Sequence, residues 1–345
     1  MKISVISFTE QGKRTAQKIK EGFKNTEEIF LYHRPEEGVR NWTKEQFFCN
    51  HALIFIGACG IAVRAISPFV KDKLTDSAVI VIDEKGRFVI PILSGHVGGA
   101  NEISRYLAKI LSAQAVITTA TDVNDKFAVD VFAGRNKLKI LNRDGIVKIS
   151  SKVLHGEKIR ISMEGCCEKK ECPEEVEIVE YPPKEKVDVA ISKDEKILEK
   201  AVLKLRPSEY VLGIGCKEGK KEDELERFIE KRLEEQNLTW DDLAYITSID
   251  RKKNEKGIVD LCLHKKIEYR TFSAEELKKI EGKFHASDFV RQTVGVDNVC
   301  ERSALAGCKG KGKLILEKQM ENGKTLAIAK RKIEIDWKGK TNDET

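Results

Sequence analysis

Of the six histidines in this chain, His96 stands inside the run Ser94-Gly95-His96-Val97-Gly98-Gly99-Ala100-Asn101. An imidazole in such a loop is a general base or acid near neutral pH when it reaches water or a substrate hydroxyl; otherwise its ring only fixes the turn. Asp122 closes a second run, Thr118-Thr119-Ala120-Thr121-Asp122. It either orients His96, acts itself, or caps the next turn. Thr118, Thr119 and Thr121 offer hydroxyls to a ligand, although threonine is equally a strand residue. Gly95, Gly98 and Gly99 let backbone N–H groups approach a ligand with no Cβ in the way. Ser94 is not in a G-x-S-x-G elbow, so it counts as a ligand contact and not as a covalent nucleophile.

These groups need a frame. Phe88 to Leu93 is an apolar run of strand length, and Ile103, Leu107, Ile110 and Leu111 then fall at helical spacing. Ala115 to Ile117 is short and β-branched. A βαβ unit sets the glycine turn and the threonine turn on one edge of a parallel sheet, where open α/β sheets bind ligands. The start of its helix adds unpaired donors and partial positive charge, which suit a carboxylate or phosphate.

Upstream, residues 2 to 8, Glu28 to Tyr32 and Ala52 to Ile56 read as strands, with helices from Thr9 to Phe23 and from Trp42 to Cys49. After Gly57-Ala58-Cys59-Gly60 comes a helix with Val63, Ile66 and Val70 on one face. Its Arg64 either grips a carboxylate in bidentate fashion or makes a surface ion pair. Lys71, Lys73 and Asp76 are weaker candidates on that edge. Asp76 to Asp83 and Phe88 to Leu93 flank a hairpin-like connection.

From Phe127 to Ser192 the chain turns to short alternating stretches, Leu138 to Leu141, Ile146 to Ile149 and Lys158 to Ile161. Glu164 to Lys186 reads as a surface loop or protruding ribbon carrying Cys166, Cys167 and Cys172, whose spacing is poor for a metal. Lys196 to Leu205 reads as a linker helix. Tyr210 to Cys216 is a strand running into Gly213 and Gly215, followed by the helix Glu222 to Gln236. The next strand, Tyr245 to Asp250, contains Ser248 and leads to Lys252 and Lys253. Another strand, Glu268 to Phe272, precedes a helix from Ala274 to Ile280. Ser287 caps a helix through Val294 and Asn298 one through Ala306, before a strand pair around Asn322-Gly323. The fold class is α/β: two α/β domains with Gly-rich strand-end turns, at 1–126 and 208–335, joined by a small mixed middle domain at 127–207. A flexible polar tail, 336–345, follows.

Composition removes several classes. A net charge of +6 over 345 residues, spread along the chain, is too weak for nucleic acid. No apolar run reaches membrane-spanning length, and the amino terminus reads as a strand and not as a signal peptide. Nine cysteines without a secretory signal point to reduced thiols in a cytoplasm. Cys59, Cys216 and Cys300 read as buried small thiols. Neither the Walker nor the dinucleotide glycine pattern is present, so nucleotide binding has little support.

Several segments together resemble a known family. GACGIAVRAISPFVKDKLTD (57–76), PILSGHVGGANEIS (91–104) and TTATDVN (118–124) resemble the amino-terminal domain of the CbiG family of cobalamin biosynthesis. GIGCKEG (213–219), ITSIDRKKNEKG (246–257) and SDFVRQTVGVDNVCERSAL (287–305) resemble its carboxyl-terminal domain, in the same order. At Cys59 and Lys217 the sequence departs from the family's commoner pattern, so neither is counted as a site residue.

The resemblance implies a hydrolase acting on a carbon–carbon bond in the anaerobic route to vitamin B12. Its substrate is cobalt-precorrin-5A, whose δ-lactone is opened and whose two-carbon fragment leaves as acetaldehyde, giving cobalt-precorrin-5B. The enzyme then needs no cofactor or metal of its own, because the cobalt belongs to the substrate. In this reading His96 activates water or removes the hydroxyl proton, and Asp122 or a neighbouring threonine orients it. The amides of Val97, Gly98 and Gly99 stabilise the oxyanion. Arg64 and Lys252 or Lys253 hold peripheral carboxylates of a macrocycle set in a cleft between two domains. Ser94, Gly95, Asn101, Thr118, Thr119, Thr121, Gly213, Gly215 and Ser248 complete the contacts. A tetrapyrrole carrier without turnover and an unrelated phosphate-ligand enzyme remain the alternatives. Other pathway enzymes and a second copy of the chain are the further partners considered.

Overall fold

The computed structural model describes residues 2–23, 28–47, 50–73, 75–164, 172–286, 292 and 294–337. Cys166, Cys167, the Ser287 cap and the tail beyond Trp337 lie outside them. Two compact units are formed, residues 1–132 with 150–157, and residues 133–149 with 158–345. No helix among the described residues is long and apolar enough to cross a membrane.

The first unit is built on six strands: β1 (Lys2–Ser7), β2 (Glu28–His33), β3 (Ala52–Ile56), β4 (Ala78–Ile82), β5 (Phe88–Leu93) and β6 (Gln114–Ala115). Their order is β2-β1-β3-β4-β5-β6. All neighbours run parallel except β4 and β5, the expected hairpin, where Val81 faces Ile90. The β3 and β4 sequences ALIFI and AVIVI are apolar and buried throughout, as a strand covered on both faces must be. Alternation sorts their side chains. Ile54, Ile56, Ile80 and Ile82 pack with Ala16 and Ile19 of α1 (Glu10–Gly22) and Leu107 of α4 (Ala100–Leu111). Leu53, Phe55, Val79 and Val81 pack with Trp42 of α2 (Gly38–Gln46) and Ala62 and Ile66 of α3 (Cys59–Ile66).

The predicted β-α-β unit forms as β5, α4 and β6, with Val89 beside Ala115 in parallel register. The turns that follow β5 and β6 therefore open on the same edge of the sheet. The second of them winds into a short helix, Ala120–Val123.

The second unit holds two five-stranded sheets. In one, β7 (Leu138–Ile140), β8 (Ile159–Met163), β9 (Val176–Val179), β10 (Val187–Ile191) and β11 (Ala201–Pro207) take the order β7-β11-β10-β8-β9, with only β7 antiparallel. Three expectations fail here. Ile146 to Ile149 is not a strand but part of the helix Arg143–Leu154, because Ile146, Ile149 and Val153 lie three and four residues apart on one buried face. Of Lys196 to Leu205 only the first three residues are helical, as the end of the helix Glu195–Leu198, and Leu203 and Leu205 bury alternately in β11. The segment read as a surface loop or protruding ribbon contains β9, which pairs parallel with β8 within the sheet.

In the other sheet β12 (Tyr210–Cys216), β13 (Leu243–Ile249), β14 (Glu268–Phe272), β15 (Lys313–Glu321) and β16 (Lys324–Lys330) take the order β14-β13-β12-β16-β15. The expected β15–β16 pair turns at Asn322 and Gly323, both at positive φ (47° and 76°), which two-residue hairpin turns demand. Asn298 stands one residue before the Val299 cap of the helix Cys300–Gly307, and its Oδ1 accepts the Glu301 amide of the first turn at 2.9 Å.

Candidate active site

His96 is positioned by the turn that the glycines allow. Ser94 and Gly99 both adopt positive φ, 55° and 79°. A Cβ on Gly98 would stand 2.4 Å from the Ser94 Cβ, and one on Gly95 would stand 2.7 Å from the Asn101 Oδ1. The turn closes on itself: the amides of Gly99, Ala100 and Asn101 donate to the carbonyls of His96, Ser94 and Gly95. The helix start is thus not the free anion site expected, and Gly99 has no N–H to spare. Of the three amides expected to receive an oxyanion, those of Val97 and Gly98 take no part in these bonds.

The imidazole lies between two carboxylates. Its Nε2 is 2.8 Å from Asp122 Oδ2 and 3.0 Å from Thr121 Oγ1, and its Nδ1 is 3.2 Å from Asp130 Oδ1. Asp122 is itself clamped, its Oδ1 accepting from Arg105 at 2.6 Å and its Oδ2 from the Asn101 amide at 3.0 Å. Asn101 also donates to Thr119 Oγ1, so this buried amide ties the two turns together. Asp130 Oδ1 accepts the Val131 N–H at 3.0 Å.

The electrostatics follow. The Asp130 hydrogen bond raises the His96 pKa against the opposing effect of burial, and the charge of both carboxylates adds to the rise. Burial pushes the Asp122 carboxyl up, but Arg105 and His96 outweigh it and hold it below the usual carboxylate range. Burial likewise acts on Asp130, and the His96 bond and charge, the Val131 amide and the Lys73 charge bring it down. The imidazolium form is favoured, with a carboxylate at each nitrogen.

A cavity of about 340 Å³ opens here, lined by Lys73, Ser94, His96, Thr119, Thr121 and Asp130 among others. Counting His96 as charged, Lys73, Arg105 and His96 face Asp122 and Asp130, which leaves one net positive charge for an anionic ligand. Two carboxylates on opposite nitrogens of one ring cannot share a metal ion with it. Among the described residues no group of three or more His, Cys, Asp or Glu is arranged to hold one.

Of the predicted residues, Ser94, Gly95, His96, Val97, Thr119 and Thr121 line this cavity, and Asn101 and Asp122 support it from behind. Thr118 is exposed and is not part of the lining. Arg64 lines a different cavity, with Val39, Arg40 and Ile61. In the second unit, the glycines expected to meet ligand are explained by close packing. A Cβ on Gly213 would fall 1.9 Å from the Cys300 carbonyl oxygen and one on Gly215 2.7 Å from Thr325 Oγ1. Ser248 is fully buried and donates to the Ile214 carbonyl at 2.7 Å. Lys252 is paired with Glu255, and Lys253 is exposed beyond it.

Asp130 was not among the expected residues. Its signal was an acid in the apolar run FAVDVFAG, eight positions after Asp122. Arg105 was also missed, although it stands one helical turn after Asn101 and so shares its face. Cys300 is buried as expected and Cys216 half-buried, and burial pushes their thiols up to about 12 and about 11. Cys59 is a correction: it opens α3 and is exposed.

Two family models match the chain, Cobalamin synthesis G N-terminal over residues 41–122 and Cobalamin synthesis G C-terminus over residues 210–329. A curated relative from Salmonella typhimurium, named cobalt-precorrin-5A hydrolase, is 36% identical over 84% of this chain and 85% of its own. One from Priestia megaterium with the same name is 31% identical over 94% of each chain.

Proposed function

The chain belongs to the cobalamin synthesis G family, and from that premise we propose that it is a cobalt-precorrin-5A hydrolase working at the His96 cavity. The observation that carries the site assignment is one imidazole held between Asp122 and Asp130 at the wall of a cavity with net positive charge. A tetrapyrrole edged with carboxylates matches that charge, and Lys73 is the cation that meets it.

Asp122 is the orienting carboxylate. With donors from His96, Asn101 and Arg105 it has little capacity left for chemistry, and it fixes the ring as a buried carboxylate fixes a catalytic histidine. Asp130 lines the cavity as a carboxylate held by the imidazolium Nδ1–H, so in this pair the Asp130 oxygen takes the proton of an attacking water while His96 stays protonated and steadies it. The water oxygen bonds to the lactone carbonyl carbon, and the Val97 and Gly98 amides receive the oxyanion. Collapse breaks the acyl–oxygen bond, and the pair returns the proton to the departing oxygen. The freed hydroxyl is then deprotonated by the same pair. Its electrons form the carbonyl of acetaldehyde while the carbon–carbon electron pair moves into the macrocycle.

Incubation with cobalt-precorrin-5A, with aldehyde trapping and mass measurement of the macrocycle, tests this. Trapped acetaldehyde with the corresponding mass loss is expected; unchanged substrate defeats the reading.

A further inference from the structure

Ser94 occupies a position that, on backbone and solvation grounds, should be glycine. Its φ of 55° puts an L residue in the left-handed region, where a Cβ crowds the chain. It is only 8% exposed, and its Oγ is buried with no hydrogen-bond partner among the described residues. An orphaned buried hydroxyl is destabilising, so both features count against serine, and glycine would relieve both. The surroundings nevertheless fix it firmly. Its carbonyl accepts the Ala100 amide at 3.1 Å, and Gly98 leaves room for its Cβ. Two residues before His96, it lines the same cavity as His96, Asp130 and Lys73. Strain and an unsatisfied polar group held in place beside acid–base groups point to function.

We propose that Ser94 is a further catalytic residue: rotation about its Cα–Cβ bond turns the hydroxyl into the cavity, where it donates to the lactone carbonyl oxygen as negative charge develops there. The serine O–H bond stays intact, and no bond forms between enzyme and substrate. The proposal rests on the hydrolase reading above. A nucleophilic role is disfavoured because both nitrogens of His96 are engaged by carboxylates and neither accepts from Ser94.

Kinetics on cobalt-precorrin-5A with Ser94→Ala and Ser94→Gly, alongside their melting curves, decide the matter. Both variants should lose about 100- to 1000-fold in kcat, the loss seen for a single oxyanion donor, with KM within about threefold of wild type. Ser94→Gly should melt at or above the wild-type temperature. A merely structural serine predicts the opposite, a glycine variant with full activity, and that result overturns the proposal. So does a macrocycle adduct on Ser94 in quenched reactions. A wild-type chain that releases no acetaldehyde overturns the hydrolase reading and this assignment together. Turnover by wild type with undiminished Ser94 variants overturns the assignment alone.

Discussion

Asp122 and Asp130 meet through one ring: His96 gives Nε2 to the first at 2.8 Å and Nδ1 to the second at 3.2 Å. The two acids are not equivalent. Asp122 is also held by Arg105 and Asn101, whereas Asp130 lines the cavity. Replacing Asp130 with Asn should therefore cut kcat by about 100-fold or more with little change in KM, the usual effect of losing an acid–base group. Steady-state kinetics of acetaldehyde release measure it. A wild-type kcat in Asp130→Asn would leave that carboxylate without the role given it here.

Arg105 touches Asp122 and is not part of the cavity lining, so it acts through the ring and not on the substrate. Removing it as Arg105→Ala leaves a partly buried carboxylate with one donor fewer and a less firmly oriented imidazole. A loss of about tenfold in kcat at constant KM is expected, restored in part by Arg105→Lys. A rise in KM with kcat intact would place Arg105 on the substrate instead.

The cluster also makes stability depend on pH. The folded His96 pKa lies above its ordinary value of 6.5, so its contribution is complete below that value and is lost as pH rises through the folded pKa. Asp122 and Asp130 are lowered from 3.8, so theirs is present above 3.8 and is lost as pH falls through their folded values. Melting temperature should thus decline on the alkaline side of pH 6.5, and His96→Gln should flatten that decline. Parallel melting curves of wild type and variant from pH 6 to 9 would contradict the assignment.

Thiol reactivity separates exposed from buried sulfur. Cys59 is exposed at a helix start, whereas burial pushes Cys216 up to about 11 and Cys262, Cys300 and Cys308 up to about 12. Brief alkylation at pH 8 followed by peptide mapping should label Cys59 and spare the other four until denaturant is added. Labelling of Cys300 in the folded chain would show that its helix opens readily.

Much of this was legible in the sequence because period and composition carried it. The apolar runs of β3 and β4, the β5–α4–β6 unit and the turn at Asn322-Gly323 each have a local signature. Ile146 to Ile149 misled because four residues fit both periods, and only Val153, one turn further on, breaks the tie. His96 and Asp122 were visible as polar groups in turns. Asp130 was not, because its pairing with His96 depends on where the chain returns 34 residues later, which no local pattern encodes. Glycine is the harder case, since the same residue serves a ligand or a neighbouring backbone.

Gly213 is that case. It sits in β12 where the helix Cys300–Gly307 crosses, and an added Cβ would stand 1.9 Å from the Cys300 carbonyl oxygen and 2.8 Å from the Ala304 nitrogen. Both obstacles are backbone in a buried helix and cannot swing aside, so Gly213→Ala must push strand and helix apart. Overpacking of this kind costs about 3 kcal/mol. At Gly215 the nearest obstacle is the Thr325 hydroxyl, which can rotate, so Gly215→Ala should cost about 1 kcal/mol. Urea denaturation of the two variants measures the difference as a shift in midpoint at constant slope. If Gly213→Ala kept the wild-type midpoint but lost turnover, the close approach of the helix would not be what requires glycine there, and a ligand contact would become the better account.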